Sequence, residues 1–190
     1  MLKILFTIIT GLVGAALLHL VIVLALPYFT GRDAFTRILN YDESNRFYML
    51  SATPDASGLA NDDPYVRIAV CAFSIDEEPV RLQAQGAVPF WSLAVFDTAS
   101  NEVFSMNDRT SIDGVMDVIV ATPIQMTALR KSLPEALAKS ILVEMPDSEG
   151  YTVLRTLAPQ RSLEEVARAF LAGASCEPLP APEAPRPDPD

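Results

Sequence analysis

An uninterrupted apolar run near the N-terminus constrains this chain more than any other feature. Residues 4–26 read ILFTIITGLVGAALLHLVIVLAL and contain no Asp, Glu, Lys or Arg. At about 1.5 Å of rise per residue, a helix of this length crosses a hydrocarbon layer about 30 Å thick. Lipid offers backbone amides no hydrogen-bond partner, which favours a helix. We therefore expect a transmembrane helix over residues 1–27, with the folded part of the chain after it.

The flanks of the run bear on its orientation and on its fate. Lys3 precedes it and Arg32 and Arg37 follow it, so the basic residues divide almost equally. An apolar segment at the start of a chain acts as a signal-anchor, which favours a domain outside the cytoplasm. The alternative is a signal peptide cleaved near residues 23–25. The run is longer than the roughly 7 to 15 apolar residues of a cleaved signal, so a retained anchor is the favoured interpretation.

Within the run, Gly11, Ala15 and His19 recur at every fourth position and share one stripe of a helix. Small residues on a stripe allow two membrane helices to approach closely, and an intramembrane His favours a protein partner over lipid. This pattern predicts a homo-oligomer formed through the anchor. The alternative is that Gly and Ala are ordinary residues of a membrane helix and that His19 is neutral.

Composition divides the rest of the chain. Residues 28–64 predict a juxtamembrane helix followed by a loop, with Thr30 as its N-cap, and residues 65–176 predict one β-rich domain. Residues 177–190 contain so many prolines that we expect a disordered acidic tail. The net charge of −10 argues against nucleic acid as a partner and against a domain lying flat on anionic lipid.

Seven segments of the domain carry the β-branched, apolar or alternating pattern of strands. They are residues 66–74, 79–85, 91–97, 102–106, 115–121, 140–145 and 151–157. Turn-forming residues at 76–78, 98–101 and 146–150 predict three hairpins. The fold class we expect is α+β, with a β-rich antiparallel sandwich or roll and short helices.

Capping boxes predict where those short helices begin. Thr122 with Gln125 predicts one helix that ends near Lys131, and a similar pattern at residues 132–135 predicts a second. Ser162 with Glu165 predicts a C-terminal helix that ends at Gly173.

The chain has two cysteines, Cys71 and Cys176. Outside the cytoplasm they can form one disulfide that closes a loop of about 100 residues. The alternative is two free thiols, and the spacing does not decide between them.

Several catalytic classes are excluded by the inventory of side chains. His19, in the apolar run, is the single histidine, so the domain has no Ser-His-Asp or Cys-His pair. No glycine-rich nucleotide-binding motif is present. The carboxylates lack the spacing of a calcium loop. We therefore expect no metal site and no cofactor.

One polar loop is a candidate ligand site. In residues 107–110, Asp108 can act as a general base and Arg109 can bind an anion, with Asn107 beside them. Trp91 and Asp97, on the predicted strand at residues 91–97, complete the candidate site. The alternative, which we favour, is that the loop is a turn and that Trp91 packs in the core.

Three segments carry a resemblance to a known family: residues 63–71 (DPYVRIAVC), 89–97 (PFWSLAVFD) and 107–110 (NDRT). With the Thr122-Pro123-x-Gln125 motif and residues 170–172 (FLA), they resemble the short single-span members of the family called "domain of unknown function 1254", over residues 40–176. The resemblance implies a bacterial envelope protein with a largely β domain and a separate companion carrying the associated unknown-function domain 1214. It implies no catalytic residue.

Together these features predict a single-pass protein of the bacterial inner membrane with its domain in the periplasm. We expect an interaction module that docks a companion envelope protein rather than an enzyme. The alternative is a carboxylate-based enzyme or small-ligand binder that uses the loop at residues 107–110.

Overall fold

The computed structural model describes residues 2–41, 44–54, 58–61 and 63–179, which form three α-helices and nine strands. Most of the predicted tail, from residue 180 on, lies outside the described residues. The helices are α1 (Leu2–Tyr41), α2 (Pro123–Lys131) and α3 (Arg161–Ala172), and a one-turn 3-10 helix spans Glu135–Leu137. The strands are β1 (Tyr48–Met49), β2 (Val66–Ser74), β3 (Val80–Ala84), β4 (Trp91–Asp97), β5 (Glu102–Asn107), β6 (Met116–Ala121), β7 (Ile141–Glu144), β8 (Glu149–Leu157) and β9 (Ser175–Pro178).

The strands form two sheets. One has the order β1-β2-β8-β4-β5 and is antiparallel throughout; the other has the order β7-β6-β3-β9, in which β6 and β7 are parallel. The predicted α+β, β-rich class is confirmed. Two short strands outside the seven predicted segments, β1 and β9, add an edge to each sheet.

One predicted hairpin is correct and two are wrong. β4 and β5 pair with each other. In contrast, β2 pairs with β1 and β8, whereas β3 pairs with β6 and β9. β7 and β8 also lie in different sheets. The turn residues at 75–79 and 145–148 therefore connect one sheet to the other. β2 and β3 are consecutive in the chain, as are β7 and β8, and all four strands have an apolar face. A connection that crosses from one sheet to the other lets these faces pack against each other.

Three apolar clusters build the domain in layers. The largest fills the space between the sheets and includes Trp91, Leu82 and Leu154. A second covers the outer face of the five-stranded sheet, where Phe35 and Ile38 of α1 pack. A third joins α2 to the outer face of the four-stranded sheet.

α1 is continuous, so the predicted separate helix with an N-cap at Thr30 is wrong. Residues 2–26 of α1 have a mean hydropathy of 2.5 and none is buried. Among the described residues this is the one helix long and apolar enough to cross a membrane, as a membrane anchor or a signal sequence does. No cap is needed at Thr30 because the helix already supplies hydrogen-bond partners there.

The capping predictions differ in outcome. At α2 the box is confirmed: Thr122 Oγ1 accepts from Gln125 N at 3.4 Å, and the Gln125 side chain accepts from Thr122 N at 2.9 Å. At α3 it is wrong, because the N-cap is Gln160 rather than Ser162, so the helix begins two residues earlier and without a side-chain cap. The segment after Ser132 forms only the 3-10 turn, and Pro134 precedes it without a side-chain cap.

Cys71 and Cys176 are joined by a disulfide, which resolves the alternatives that spacing left open. Cys71 lies in β2 and Cys176 in β9, so the bond connects the two sheets through the core.

The sandwich has two ends, which we call the Glu77 end and the Arg67 end. At the Glu77 end, β2 finishes and the connection at residues 75–79 crosses between the sheets; Ser74 pairs with Glu149 there. At the Arg67 end, β2 begins and β8 finishes, with Arg67 opposite Thr156.

Removing the disulfide by the Cys71→Ala/Cys176→Ala double substitution is expected to lower the free energy of unfolding by about 4 to 5 kcal/mol, because the bond closes a loop of 105 residues. Denaturant unfolding of both proteins in the same detergent measures the difference. Equal midpoints, or recovery of two alkylated thiols from the unreduced protein, would contradict this expectation.

Candidate functional site

Trp91 is part of the core. Its side chain is 2 % exposed, and Nε1 donates to the carbonyl oxygen of Gly114 at 3.3 Å. The indole ring is therefore packed in the core, and its N–H group has a hydrogen-bond partner within the domain.

Asp97 lies at the far end of β4 and organises a turn. Oδ1 accepts from the backbone N–H groups of Ala99 at 2.9 Å and Asn101 at 2.8 Å, and Oδ2 accepts from the Asn101 side chain at 2.8 Å. Asp97 lies six positions along the strand from Trp91, which at about 3.3 Å per residue is a distance of about 20 Å.

The loop at residues 107–110 is also a turn. Asn107 Oδ1 accepts from Arg109 N at 3.0 Å and Thr110 N at 3.2 Å, and Thr110 Oγ1 accepts from Asn107 N at 3.0 Å. Asp108 Oδ1 is buried and has no hydrogen-bond partner among the described groups. The structure thus places this loop beside Trp91, because Asp108 N donates to the Trp91 carbonyl at 3.1 Å, but it does not bring Asp97 near them.

Metal-ligating side chains do not converge within the part of the chain that the structure describes: no three His, Cys, Asp or Glu residues are grouped to hold an ion. Gly11, Ala15 and His19 lie on the exposed, apolar half of α1. Helix pairing through that stripe stays a prediction.

A concave surface lies instead at the Glu77 end. A cavity of about 300 Å³ separates α2 and the 3-10 helix from the crossing connection. We call it the α2 groove. Its lining is mainly apolar and includes Pro79, Ala128, Leu129, Leu137 and Leu179.

Carboxylates border the α2 groove on one side. Glu77 and Glu78 line it and also line an adjoining depression of about 310 Å³ that contains Asp76. The combined surface therefore has an apolar floor and an acidic border.

Local sequence determines the walls of the groove. The capping box fixes the start of α2, and Gln125 Nε2 also donates to the Ile75 carbonyl at 2.8 Å, which attaches the helix to the crossing connection. Met126 and Leu129 are buried against the four-stranded sheet. On the other side, Leu179 N donates to the Pro79 carbonyl at 2.6 Å.

A second surface feature lies at the Arg67 end. The Arg67 guanidinium binds both carboxylate oxygens of Glu164, at 2.8 and 2.7 Å, and Arg168 Nε donates to the same carboxylate at 2.9 Å. The hydrogen bond from Arg67 lowers the pKa of Glu164, against the opposing effect of desolvation and with further help from Arg168. Glu164 thereby attaches α3 to β2.

A similar pair supports the outer face of the four-stranded sheet. Arg81 binds both oxygens of Asp117 at 2.8 Å, and Ser140 donates to Oδ2 at 2.8 Å. Burial raises the pKa of Asp117, but the hydrogen bonds from Arg81 and Ser140 and the charge of Arg81 outweigh it, so the pKa is lowered overall. The bidentate geometry accounts for the strength of this pair.

Comparison with known proteins yields fold information alone. No family model matches the chain, and no curated protein matches it. A crystal structure of the VPA0106 protein from Vibrio parahaemolyticus is similar, with a TM-score of 0.55 and 15% identity, over 86% of this chain and 41% of that chain. A putative uncharacterized protein from Burkholderia cenocepacia aligns with a TM-score of 0.49 and 14% identity, over 83% of this chain and 41% of that chain. The chain spans less than half the length of either structure.

Replacing Glu164 with Gln is expected to lower the free energy of unfolding at pH 7 by at most about 1 kcal/mol, since 23% of the Arg67 side chain and 27% of the Glu164 side chain are exposed. A lowered folded-state pKa contributes stability above the unfolded pKa of about 4.3, and that stability is lost as the pH falls through the folded value. The difference between wild type and variant should therefore shrink as the pH falls from 7 towards 3.

Denaturant unfolding across this pH range measures that difference. Glu165→Gln, which removes an exposed carboxylate from the same helix, is the matched control. A wild-type advantage over Glu164→Gln that stays constant down to pH 3 would refute the assignment to the ion pair.

Proposed function

We propose that this protein is a membrane-tethered binding module of the bacterial cell envelope, with its domain on the periplasmic side. In this proposal α1 is retained in the inner membrane, and the domain docks a companion envelope protein through the α2 groove. The single observation that carries the docking proposal is the apolar floor of the groove beside the carboxylates of Glu77 and Glu78.

Two features support the tether and its compartment. Residues 2–26 of α1 are apolar except for Thr7, Thr10, His19 and the charged Lys3, and none is buried, which is stable in lipid and costly in water. The Cys71–Cys176 bond favours an oxidising compartment, because disulfides are rare in the cytoplasm.

The chemistry of the groove selects the occupant. An apolar floor favours Leu-, Ile- or Phe-type side chains, and an acidic border favours Lys or Arg next to them. We therefore propose a partner segment in which apolar residues are flanked by basic ones. The positive charge of such a segment is complementary to the carboxylates of Glu77 and Glu78.

The idea of a companion has two further supports. The resemblance to domain of unknown function 1254 implies an associated domain carried by a separate chain. The VPA0106 structure, in which 41% of the chain aligns with this fold, is an instance of a similar fold within a longer protein.

The tether is tested by fractionation of cells that express the full chain. We expect the protein to remain in the membrane pellet after an alkaline wash, and mass spectrometry to find the intact N-terminus. A soluble mature chain that begins near Leu26 would refute the retained anchor.

Docking is tested with a photoreactive amino acid at position 128, an exposed position of the groove lining. In intact cells, cross-linked partner peptides should contain apolar residues flanked by Lys or Arg. The Glu77→Lys/Glu78→Lys double substitution should reduce the yield at least about tenfold, since each reversed rim charge opposes a basic partner.

The matched control places the photoreactive group at position 127, which is exposed on α2 but does not line the groove. Equal cross-linking from positions 127 and 128, no cross-link from either, or capture of an acidic or wholly polar segment would refute docking in the groove.

A further inference from the structure

We infer that the Arg67 end of the domain contacts the phosphates of anionic lipid headgroups in the membrane that holds α1. The surface consists of the two adjoining depressions that share Arg67 and Arg168, and we call it the arginine surface. This inference rests on the proposed tether and is independent of docking at the α2 groove.

The path of α1 places the arginine surface on the membrane side of the domain. Arg37 lies against Gly58, since a Cβ on Gly58 would be 3.0 Å from Arg37 Nη1, and Asn61 nearby donates to the carbonyl of Val66. After α1 ends, Asn45 N donates to the Ala72 carbonyl. These contacts place the Arg37 side chain beside the segment that leads into β2, and the residues after α1 beside the finish of β2. From that order we infer that the apolar half of α1 extends past the Arg67 end.

The distance along the helix is short. Eleven residues separate the end of the apolar window at Leu26 from Arg37, which is about 16 Å at 1.5 Å per residue. The headgroup layer on one side of a bilayer is several ångströms thick, since the full bilayer exceeds its hydrocarbon core by about 10 to 15 Å. The Arg67 end is thus within reach of lipid phosphates.

The side chains there suit phosphate. Three arginines, Arg67, Arg161 and Arg168, line the arginine surface with two carboxylates, Asp63 and Glu164, so the cluster has an excess of one positive charge. Arg161 lies two turns before Arg168 on α3 and lines the same depression. Guanidinium groups bind phosphate through paired N–H donors. Tyr65, which also lines it and is 59 % exposed, is a residue type enriched at membrane interfaces.

The opposite end has the opposite character. Six carboxylates stand on or beside the connections at the Glu77 end: Asp76, Glu77, Glu78, Asp97, Asp147 and Glu149. An anionic bilayer repels that end and attracts the arginine surface, so the charge distribution favours one orientation of the domain.

The test uses the full chain in nanodiscs of phosphatidylcholine, with or without 30% phosphatidylglycerol, and hydrogen exchange as the measurement. We expect amides of residues 65–67 and 160–168 to exchange at least about threefold more slowly in the anionic discs. Amides of residues 75–78 should not change, and 0.5 M NaCl should remove most of the effect because salt screens exposed charges.

Variants identify the side chains responsible. Arg161→Glu, at an exposed position, should abolish the protection, whereas Arg46→Glu, an exposed arginine outside the arginine surface, should leave it intact. Arg161→Lys should retain part of it, which separates loss of charge from disturbance of α3.

Each remaining outcome is decisive. Equal exchange in both disc types while the chain stays inserted would overturn the lipid contact and leave the tether intact. Failure of the chain to remain in the discs would overturn the tether itself. Protection in phosphatidylcholine discs by 10 mM inorganic phosphate, equal to that from anionic lipid, would overturn the membrane as the source of the anion.

Discussion

The structure depends on the burial of two inward-facing apolar surfaces against each other. Trp91, Leu93 and Leu154 from one sheet meet Leu82, Val118 and Val120 from the other, and none of these side chains is more than 2 % exposed. Because β2 and β3 are consecutive in the chain but lie in different sheets, the residues between them must cross the end of the sandwich. That crossing exposes Asp76, Glu77 and Glu78 beside α2, so the α2 groove follows directly from the topology.

Strand positions could be predicted from the sequence, but strand partners could not. The bounds of β2, β4 and α2 agree with the expectation because β-branched residues and a capping box act locally. Pairing is decided by non-local contacts, as in the register of Val66 with Leu157. β2 is apolar on both faces, since α1 covers its outer side, and its pattern therefore does not reveal which sheet it joins. Turn residues at 76–78 suit a hairpin and a crossing connection equally.

The candidate site was missed for a related reason. Pro79, Leu129 and Leu179 are 50 or more residues apart along the chain and meet only because β3 and β9 are paired and α2 packs beside them. The loop at residues 107–110 was a candidate site because it is polar. In the structure, Asn107 Oδ1 accepts a hydrogen bond from Arg109 N, as Asn does in ordinary turns. Polar residues in a loop more often reflect solvent exposure and turn formation than a catalytic or binding role. A concave apolar surface that is assembled from distant residues leaves no recognisable pattern in any one segment of the sequence.

Net charge describes this chain poorly, because its charges are separated in space. A value of −10 argues against contact with anionic lipid only if the charge is evenly spread. Here carboxylates concentrate at the Glu77 end, whereas the three arginines of the arginine surface outnumber its two carboxylates, Asp63 and Glu164. The separation has a consequence because the domain is not on a flexible linker: α1 continues into it, and Phe35 and Ile38 are buried on the sheet. Burial of two such side chains is worth about 1.5 to 3 kcal/mol each, enough to keep the helix on the sheet. Under the proposed tether, this packing sets which end of the domain faces the membrane.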